Sequence, residues 1–507
     1  MTAPRRFSPA DIVAGFSVAL ILIPQSLAYA EIAGLPPYIG LFAAAVPPIA
    51  AAFFASSPYL QTGPVAMTAL LTFGALAPLA TPETSEYIKL AALLAVVVGV
   101  VRVAFGLLRS GVIAYFMSQP VLVGFTSAAA ILICSSQLPV ALGAPAPDGG
   151  LLERAWWSIT HPGDWETAAV VLAIVSVLVV IGGRRIHKLF PGVLVAVLIG
   201  VGFSDLVGYD GVTVGDIPAG LPPFGVDLPW GDLGMLIVPG IVIALVGFAE
   251  PAAIARVFAA QDRERWDPDR EFISQGVANL ASGFSGGFPV GGSFSRSSIN
   301  KLAGGRSRWS GAVTGVVVLA FLPVAGILEP LPRAVLGAIV IAAVARLVRP
   351  DQVFGIFRFS IPQGTVAAVT FVATLAMSPR IERAVLIGIG LGIAIHLWRE
   401  LTTHVDADYT GGRLWIRPHG VLFFGSAPGL EEALNDLLSD HPEADRLVID
   451  LGGMGRIDYT GAAALKALVD EAVNAGLTVS MTGAPPQVRR ILQSVWEGTP
   501  PMEETAT

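Results

Sequence analysis

The chain has 507 residues, of which 54% are hydrophobic and only 14% are charged. Soluble globular proteins carry about 25% charged residues, so this composition excludes an ordinary soluble protein. The net charge of −7 is modest and no basic run occurs, which argues against a nucleic-acid partner.

Apolar runs of membrane-spanning length recur between Asp11 and about Arg399, and we count about fourteen of them. A helical span needs roughly 20 mostly apolar residues, and fewer where the helix is broken or buried among other helices. Residues 1–400 are therefore predicted to form a polytopic α-helical membrane domain. No small-residue cleavage site precedes the first run, so we expect no cleaved signal peptide. The single cysteine, Cys134, excludes an intrachain disulfide.

Lysine and arginine residues mark one side of this predicted domain, and loops rich in them face the cytoplasm. In our count they precede the first span and follow the even-numbered spans, whereas residues 205–232 contain five aspartates and no lysine or arginine. This distribution predicts a multi-pass protein of the cell membrane, in bacteria the inner membrane, with both termini in the cytoplasm. The basic residues are Arg5, Arg6, Arg102, Arg109, Arg184, Arg185, Lys188, Arg263, Arg265, Arg306, Arg308, Arg346 and Arg349.

Residues 401–507 have the alternating pattern of a small soluble α/β domain. Strands and helices alternate, which predicts a small sheet with helices packed on it. The predicted strands are 413–418, 420–425, 446–451 and 477–483, and the predicted helices are 428–439, 460–476 and 485–495.

Two apolar segments are too short to cross a membrane. SSPYLQTG leads into PVAMTALLTFGAL, which begins at Pro64, and GFSGGFPVGG leads into SFSRSSINKLAG, which begins at Ser293. They lie about 230 residues apart, nearly the separation of the first and eighth spans, which indicates two inverted repeats of seven spans. Paired interrupted segments at matching places in two halves are typical of a transporter site. Their helix amino termini are expected to meet near the middle of the membrane, where unpaired amides attract anions.

Arg296 lies in the predicted first turn of the second short helix. Placing an arginine near the bilayer centre costs about 2.5–3.5 kcal/mol on insertion scales, which indicates a function for it. Together with two positive helix ends, its guanidinium favours a negatively charged substrate. The alternatives are that Arg296 faces the cytoplasmic surface, or that it pairs permanently with a carboxylate.

Glu250 follows a long apolar run and precedes Pro251. A carboxylate is costly there when it is ionised, so Glu250 is a candidate to carry a proton in step with the anion. The alternative is a carboxylate that packs between helices and pairs with Arg296 or Arg256. The two hypotheses overlap, because substrate and proton together could replace a Glu250–Arg296 pair.

Three segments of the membrane half resemble the sulfate permease family, which is solute carrier family 26 in animals. They are PQSLAYAEIAGLPPYIGLFAA at 24–44, SSPYLQTGPVAMTALL at 56–71 and SGGFPVGGSFSRSSIN at 285–300. RLVIDLGGMGRIDYTGAAALKAL resembles the sulfate transporter and anti-sigma-factor antagonist (STAS) domain. The resemblance implies fourteen transmembrane spans in two inverted seven-span repeats, as in uracil permease. A core domain (spans 1–4 and 8–11) would hold the anion against a gate domain (spans 5–7 and 12–14).

The resemblance also implies a set of substrate-binding residues drawn from three spans. Gln25 can donate its amide, and Tyr29 can stack or donate, but Gln25 could instead bridge the broken first helix and Tyr29 could be an interface aromatic. The third and tenth spans would offer backbone amides. The residues carried over are Gln25, Tyr29, Pro64, Val65, Phe294, Ser295 and Arg296.

The predicted function is secondary active anion transport by an elevator-like shift of the core against the gate. Glu250 matches the position where proton-coupled members keep an acid, which favours symport of a proton with a dicarboxylate such as fumarate, with sulfate or with bicarbonate. The alternatives are a sodium-coupled bicarbonate symporter and an uncoupled exchanger or channel. A sensor whose STAS domain signals on anion binding is a further hypothesis.

We expect no enzymatic activity, no cofactor and no metal site. GFSGG at 283–287 matches the G-x-S-x-G hydrolase pattern, but it lies in a membrane segment rather than at a strand–turn–helix of a soluble sheet. The STAS-like segment reads Asp458-Tyr459-Thr460-Gly461 and lacks the phosphorylatable serine of signalling members, which favours an assembly or regulatory module. The expected partners are a small anion, protons or sodium, the lipid bilayer and a second copy of the chain.

Overall fold

A computed structural model describes residues 7–111, 118–187, 190–225, 227–401, 404–496 and 499–502. Contacts between Cα atoms divide the chain into two compact units, Met1–Gly390 and Leu391–Thr507. The domain boundary predicted between residues 400 and 401 stays a prediction, because one helix runs across this division.

The first unit is helical. Seven helices of the described residues are long and apolar enough to cross a membrane, and four shorter apolar helices accompany them. The number of fourteen spans stays a prediction. In chain order the helices are α1 (Pro9–Ile32), α2 (Pro37–Phe54), α3 (Ala66–Leu76), α4 (Ser85–Leu107), α5 (Gln119–Leu142), α6 (Leu151–Thr160), α7 (Thr167–Ile186), α8 (Gly192–Phe203), α9 (Leu233–Asp262), α10 (Pro268–Phe284), α11 (Phe294–Leu302), α12 (Trp309–Phe321), α13 (Arg333–Val344), α14 (Pro350–Gly355), α15 (Ile361–Ala376) and α16 (Ile381–Leu401).

The helices of this unit pack in two groups. In the first, which we call the core group, α10 packs against α2 and α4, α12 packs against α1 and α2, and α9 packs against α4. In the second, the gate group, α5 packs against α13 and α15, and α7 packs against α8 and α13. Contacts of α1 with α8 and α13 join the groups. The core group takes α1–α4 and α9–α12, which are the matching first parts of the two sequence halves.

Local sequence signals explain how the first two helices begin and approach each other. Ser8 caps α1, with Asp11 completing the capping box, and Pro9 occupies the first helical position. Pro24 lies inside α1 and cannot donate a backbone hydrogen bond there. A Cβ atom on Gly40 of α2 would lie 1.8 Å from the Ser26 carbonyl oxygen, so only glycine permits this helix contact.

The second unit is a five-stranded sheet with three helices. Its strands are numbered after β1 (Thr62–Gly63) and β2 (Gly291–Gly292), two short strands of the first unit. The elements are β3 (His404–Thr410), β4 (Arg413–Leu422), α17 (Ala427–Asp440), β5 (Arg446–Asp450), β6 (Met454–Ile457), α18 (Tyr459–Asn474), β7 (Thr478–Thr482) and α19 (Pro486–Val495).

The sheet order in this unit is β3-β4-β5-β7, with β6 also paired to β4. β3 and β4 are antiparallel, whereas β5 pairs in parallel with both β4 and β7. Buried aliphatic side chains such as Leu414, Leu447 and Leu465 form the core of the unit.

The strand predictions in this unit were wrong in two respects. The two strands predicted at 413–418 and 420–425 are one strand, β4, because the chain continues through a register shift at Gly420. Gly420 has a φ of 99°, a conformation that favours glycine and that interrupts the alternating pattern without ending the strand. β3 and β6 were missed, because β3 is a mostly exposed polar edge strand and β6 has only four residues.

The assignment of Arg102 to a cytoplasmic loop was also wrong. Arg102 lies inside α4 and is fully buried, with a relative exposure of 0%. Its guanidinium donates hydrogen bonds to three backbone carbonyl groups, which compensate for the lost hydration.

The close contact at Gly40 yields a stability prediction. Gly40→Ala places a methyl group against the α1 backbone, and we expect this overpacking to cost about 1–3 kcal/mol of stability. Gly202→Ala in α8 is the matched control, because a Cβ atom there would have no neighbour within 4 Å. Thermal unfolding of both variants in detergent tests this, and equal melting temperatures would contradict the packing described.

Candidate functional site

The two short helices begin side by side. A two-stranded ladder, β1 (Thr62–Gly63) with β2 (Gly291–Gly292), precedes α3 and α11, and it pairs Thr62 with Gly292 and Gly63 with Gly291. The Ser293 amide also donates to the Gln61 carbonyl oxygen, at 3.1 Å. The amino termini of α3 and α11 are thus brought to one place in the core group, which is the juxtaposition that the sequence predicted.

Polar side chains of α10 fix this ladder in place through hydrogen bonds. The Gln275 Nε2 atom donates to Thr62 Oγ1 at 2.8 Å. The Oδ1 atom of Asn279 accepts a hydrogen bond from the Val290 amide at 2.9 Å, and its Nδ2 atom donates to the Val290 carbonyl oxygen at 3.0 Å. Because Val290 immediately precedes β2, α10 fixes the approach to both short helices.

Arg296 is the third residue of α11, and its side chain is fully buried. In the described part of the chain, none of its three guanidinium nitrogens has a hydrogen-bond partner. A Cβ atom on Gly63 would lie 3.5 Å from Nη2, so the guanidinium sits directly against the ladder. Buried charged groups are normally paired, and an arginine in this condition indicates a position prepared for an anion.

Glu250 lies beside the same helix terminus. Its Oε1 atom accepts a hydrogen bond from the Phe294 amide at 3.4 Å, so the carboxylate interacts with the positive end of α11. Glu250 and Arg296 interact electrostatically. No carboxylate of the described residues comes within 4.0 Å of the Arg296 nitrogens. The permanent ion pair considered for Arg296 is therefore absent from this structure.

The first helix contributes two of the predicted site residues. Tyr29 is buried and interacts electrostatically with Arg296, which places it at the same site. Gln25 is also buried, next to Pro24, and its Oε1 atom has no hydrogen-bond partner among the described residues. α1 runs continuously from Pro9 to Ile32 through Pro24, so the broken first helix that Gln25 was considered to bridge is not present in this structure.

The remaining predicted residues surround the two helix termini. Pro64 and Val65 are buried, and Val65 provides no side-chain cap for α3, whose first-turn amides have no partner within the helix. Phe294 is 52% exposed and stacks on Phe258, with ring centroids 6.2 Å apart. Ser295 is half-buried in the first turn of α11. Glu250 and Phe294 therefore lie on the accessible side of the site, and Arg296 lies at its closed side.

Sequence reasoning missed the residues that position the site. Gln61, Gly63 and Ser297 make the contacts between the ladder and α11, yet none of them is charged or aromatic. A signal for the scaffold was present, because Glu271, Gln275, Asn279 and Ser282 recur at helical spacing in a membrane segment. All four are buried on α10, so the stripe marks a polar scaffold within the core group.

This arrangement has donors that suit an anion. A guanidinium provides several donors in a fixed fork, and two helix termini add unpaired amides and a dipole that favours negative charge. Tyr29 and Glu250 interact with Arg296, and the ladder brings the Pro64–Val65 segment beside the start of α11. For Gln25 the structure shows burial next to Pro24 but no hydrogen bond between its Oε1 atom and the other described residues.

The two parts of the chain match two family models. A model of the sulfate permease family matches residues 9–374, and one of the STAS domain matches residues 404–495. The chain is 30% identical to a probable sulfate transporter of Mycobacterium tuberculosis, over 97% of this chain and 92% of the relative.

Two solved structures share the fold. The murine solute carrier 26 family member A9 anion transporter, in its inward-facing state, gives a TM-score of 0.88 at 20% identity, over 97% of this chain and 88% of that one. The transmembrane domain of the cyanobacterium bicarbonate transporter BicA gives a TM-score of 0.65 at 24% identity, over 77% of this chain and 99% of that one. The comparisons confirm the predicted fold class, a helical membrane domain followed by a STAS domain.

The contact between Ser297 and the ladder yields a prediction. Ser297 Oγ accepts the Gln61 amide at 2.9 Å, and Ser297→Ala leaves this buried amide without its acceptor. We expect a loss of about 1–3 kcal/mol in stability and weaker anion binding, because α11 loses one of its hydrogen bonds to the segment that enters the ladder. Ser298→Ala, at the adjacent half-buried position, is the control. Thermal unfolding with and without anion measures both effects, and identical behaviour of the two variants would contradict the proposed positioning.

Proposed function

Because the chain belongs to the sulfate permease family, we propose that it is a secondary active transporter that moves a small anion together with a proton. The observation that carries this proposal is the Arg296 guanidinium, which is fully buried beside two helix termini without a hydrogen-bond partner in the described chain. A carrier holds its substrate in an enclosed site near mid-membrane, and a buried cation there favours a negatively charged substrate.

The two helix groups supply the elements for alternating access. The site lies entirely on the core group, and α1 of that group packs against α8 and α13 of the gate group. Arg333, at the start of α13, lies 3.2 Å from Glu31 of α1 and 3.4 Å from Glu83. These ion pairs join the groups at the end of the bundle where α1 ends. An elevator-like shift of the core group would break them and carry the anion past the gate group.

Glu250 provides a physical route to proton coupling. An ionised Glu250 repels an anion that approaches α11. Its Oε1 atom also accepts the hydrogen bond of the Phe294 amide, which is then not available to the anion. Protonation removes both effects, so the anion and the proton favour each other's binding. Linkage makes this preference reciprocal, as symport requires.

Sulfate is the first substrate to test, since the similar Mycobacterium tuberculosis protein is named a probable sulfate transporter. One arginine and two helix termini select for charge rather than shape, so dicarboxylates such as fumarate, and bicarbonate, belong in the same panel. The likeness to BicA supports including bicarbonate with a sodium gradient. Uncoupled exchange or channel-like conduction is the other alternative, and a flux indifferent to any cation gradient would favour it.

The proposal includes a membrane orientation and an assembly. Arg306 and Arg308 lie in the connection before α12, and the Arg306 amide donates to Asp11 in the first turn of α1. Arg263 and Arg265 lie in the connection before α10, which is hydrogen-bonded at Asp267 to Ser56, just after α2. Both connections are therefore at the end of the bundle where α1 begins and α2 ends. By the positive-inside rule this end faces the cytoplasm, together with both termini. We include a homodimer, which the family resemblance implied.

Uptake into proteoliposomes tests the anion site. We expect Arg296→Ala to raise the KM for the transported anion by about 10–150-fold, because a charge-assisted hydrogen bond contributes about 1.5–3 kcal/mol. Arg265→Ala, which removes an exposed arginine, is the control and should transport normally. Labelled sulfate, bicarbonate and fumarate are assayed in parallel, and normal uptake by Arg296→Ala would refute the proposed site.

The coupling role of Glu250 has a separate test. Glu250→Gln mimics the protonated carboxyl group, so we expect loss of accumulation driven by an inward pH gradient but retention of anion exchange. Glu86→Gln, which changes an exposed glutamate of α4, should keep both activities. Unchanged pH-driven accumulation would remove Glu250 from the mechanism, and accumulation driven by sodium alone would replace proton coupling with sodium coupling.

A further inference from the structure

A second buried arginine contacts the backbone that leads into β2. Arg102 of α4 has a relative exposure of 0%. Its Nε atom donates to the Ala244 carbonyl at 3.1 Å, and its two terminal nitrogens donate to Val290 at 3.0 Å and Ile243 at 3.3 Å. All three acceptors are neutral carbonyl groups, and no described carboxylate is paired with this guanidinium. Its positive charge is therefore solvated by dipoles but is not neutralised.

Arg102 and Arg296 are both connected to the same ladder. Val290, which Arg102 contacts, immediately precedes Gly291 of β2, and Gly291 pairs with Gly63. A Cβ atom on Gly63 would lie 3.5 Å from the Nη2 atom of Arg296. Paired strands are about 4.8 Å apart, which puts the two cations on the order of 10 Å from each other.

We propose that Arg102 is a positioning residue that also sets the charge selectivity of the anion site, in favour of divalent over monovalent anions. This inference rests on the proposed function of the site. The positioning part follows from the three hydrogen bonds, which join α4, α9 and the segment before β2. The selectivity part follows from the unneutralised charge, whose attraction is proportional to the charge of the anion.

Coulomb's law gives the expected size of the effect. At about 10 Å and an effective dielectric constant of about 20, one cation changes anion affinity on the order of tenfold per unit of anion charge. Removing the Arg102 charge should therefore weaken a monovalent anion about tenfold and a divalent anion about a hundredfold. A purely structural role would weaken both by the same factor, so the ratio of affinities separates the two roles.

Asn279 allows the charge to be changed without touching Arg102. Its Nδ2 atom and the Arg102 Nη1 atom donate to the same Val290 carbonyl oxygen, each at 3.0 Å. Asn279→Asp is isosteric and keeps an acceptor for the Val290 amide, but it loses the bonds that Nδ2 donates to the carbonyl oxygens of Gln275 and Val290. It places a carboxylate beside the guanidinium, where the opposite charges neutralise each other. Asn279→Ala loses the same donated bonds without adding a charge and is its control.

The experiment measures anion-dependent thermal stabilisation of the full-length purified protein, titrated with sodium sulfate and with sodium nitrate. Arg102→Gln removes the charge, whereas Arg102→Lys keeps it, and both lose the three-donor fork. We expect Arg102→Gln and Asn279→Asp to lower the sulfate-to-nitrate affinity ratio about tenfold, and Arg102→Lys to leave it within about twofold of wild type.

The outcomes separate this inference from the proposed function. An unchanged ratio in Arg102→Gln and Asn279→Asp, or an equal change in Arg102→Gln and Arg102→Lys, would overturn the selectivity role while the anion site stands. If Arg102→Gln does not fold, the comparison of Asn279→Asp with Asn279→Ala decides, because Arg102 remains in place in both and the two variants differ in the added charge. Failure of the wild type to bind sulfate, nitrate, bicarbonate or fumarate, or unaltered binding by Arg296→Ala, would instead contradict the anion site itself.

Discussion

The structure depends on one electrostatic constraint, which is a guanidinium enclosed in a membrane domain without a protein hydrogen-bond partner in the described chain. Such a group is unfavourable unless an anion or a set of dipoles compensates its charge. The start of α11 adds to this cost, because the amino terminus of a helix is the positive end of its dipole, and the ladder brings the positive start of α3 beside it. An entering anion compensates the guanidinium and both helix ends at once, which gives a reason why a protein that avoids charge retains Arg296.

The same constraint explains the polar residues of α10. Two short helices that begin inside a membrane domain need fixed backbone before them, because strands of two residues cannot hold themselves in place. Gln275 and Asn279 supply the missing hydrogen bonds to Thr62 and Val290. Arg102 reaches the same backbone from α4. The proposed anion site is therefore attached to the core group through α10 and α4, and the whole group is the unit that the proposed elevator-like movement would shift.

Local signals in the sequence predicted the parts of the site that are local. The glycines at 291 and 292 and the serine at 293 predicted that a helix starts there, with Arg296 in its first turn. The structure confirms this start, and Ser293 caps α11. Other contacts join residues that are distant in the chain, and sequence periodicity does not predict them. Examples are the hydrogen bond of Arg102 to α9 and the hydrogen bond of the Phe294 amide to Glu250. In the STAS domain, apolar alternation predicted β5 and β7, but the polar edge strand β3 carried too little of this pattern.

The most direct test is a structure of the protein with bound selenate, a sulfate analogue whose selenium is located by anomalous scattering. The account predicts a peak between the amino termini of α3 and α11, within hydrogen-bond distance of the Arg296 guanidinium. A peak elsewhere in the membrane domain, with Arg296 paired to a protein carboxylate, would contradict it.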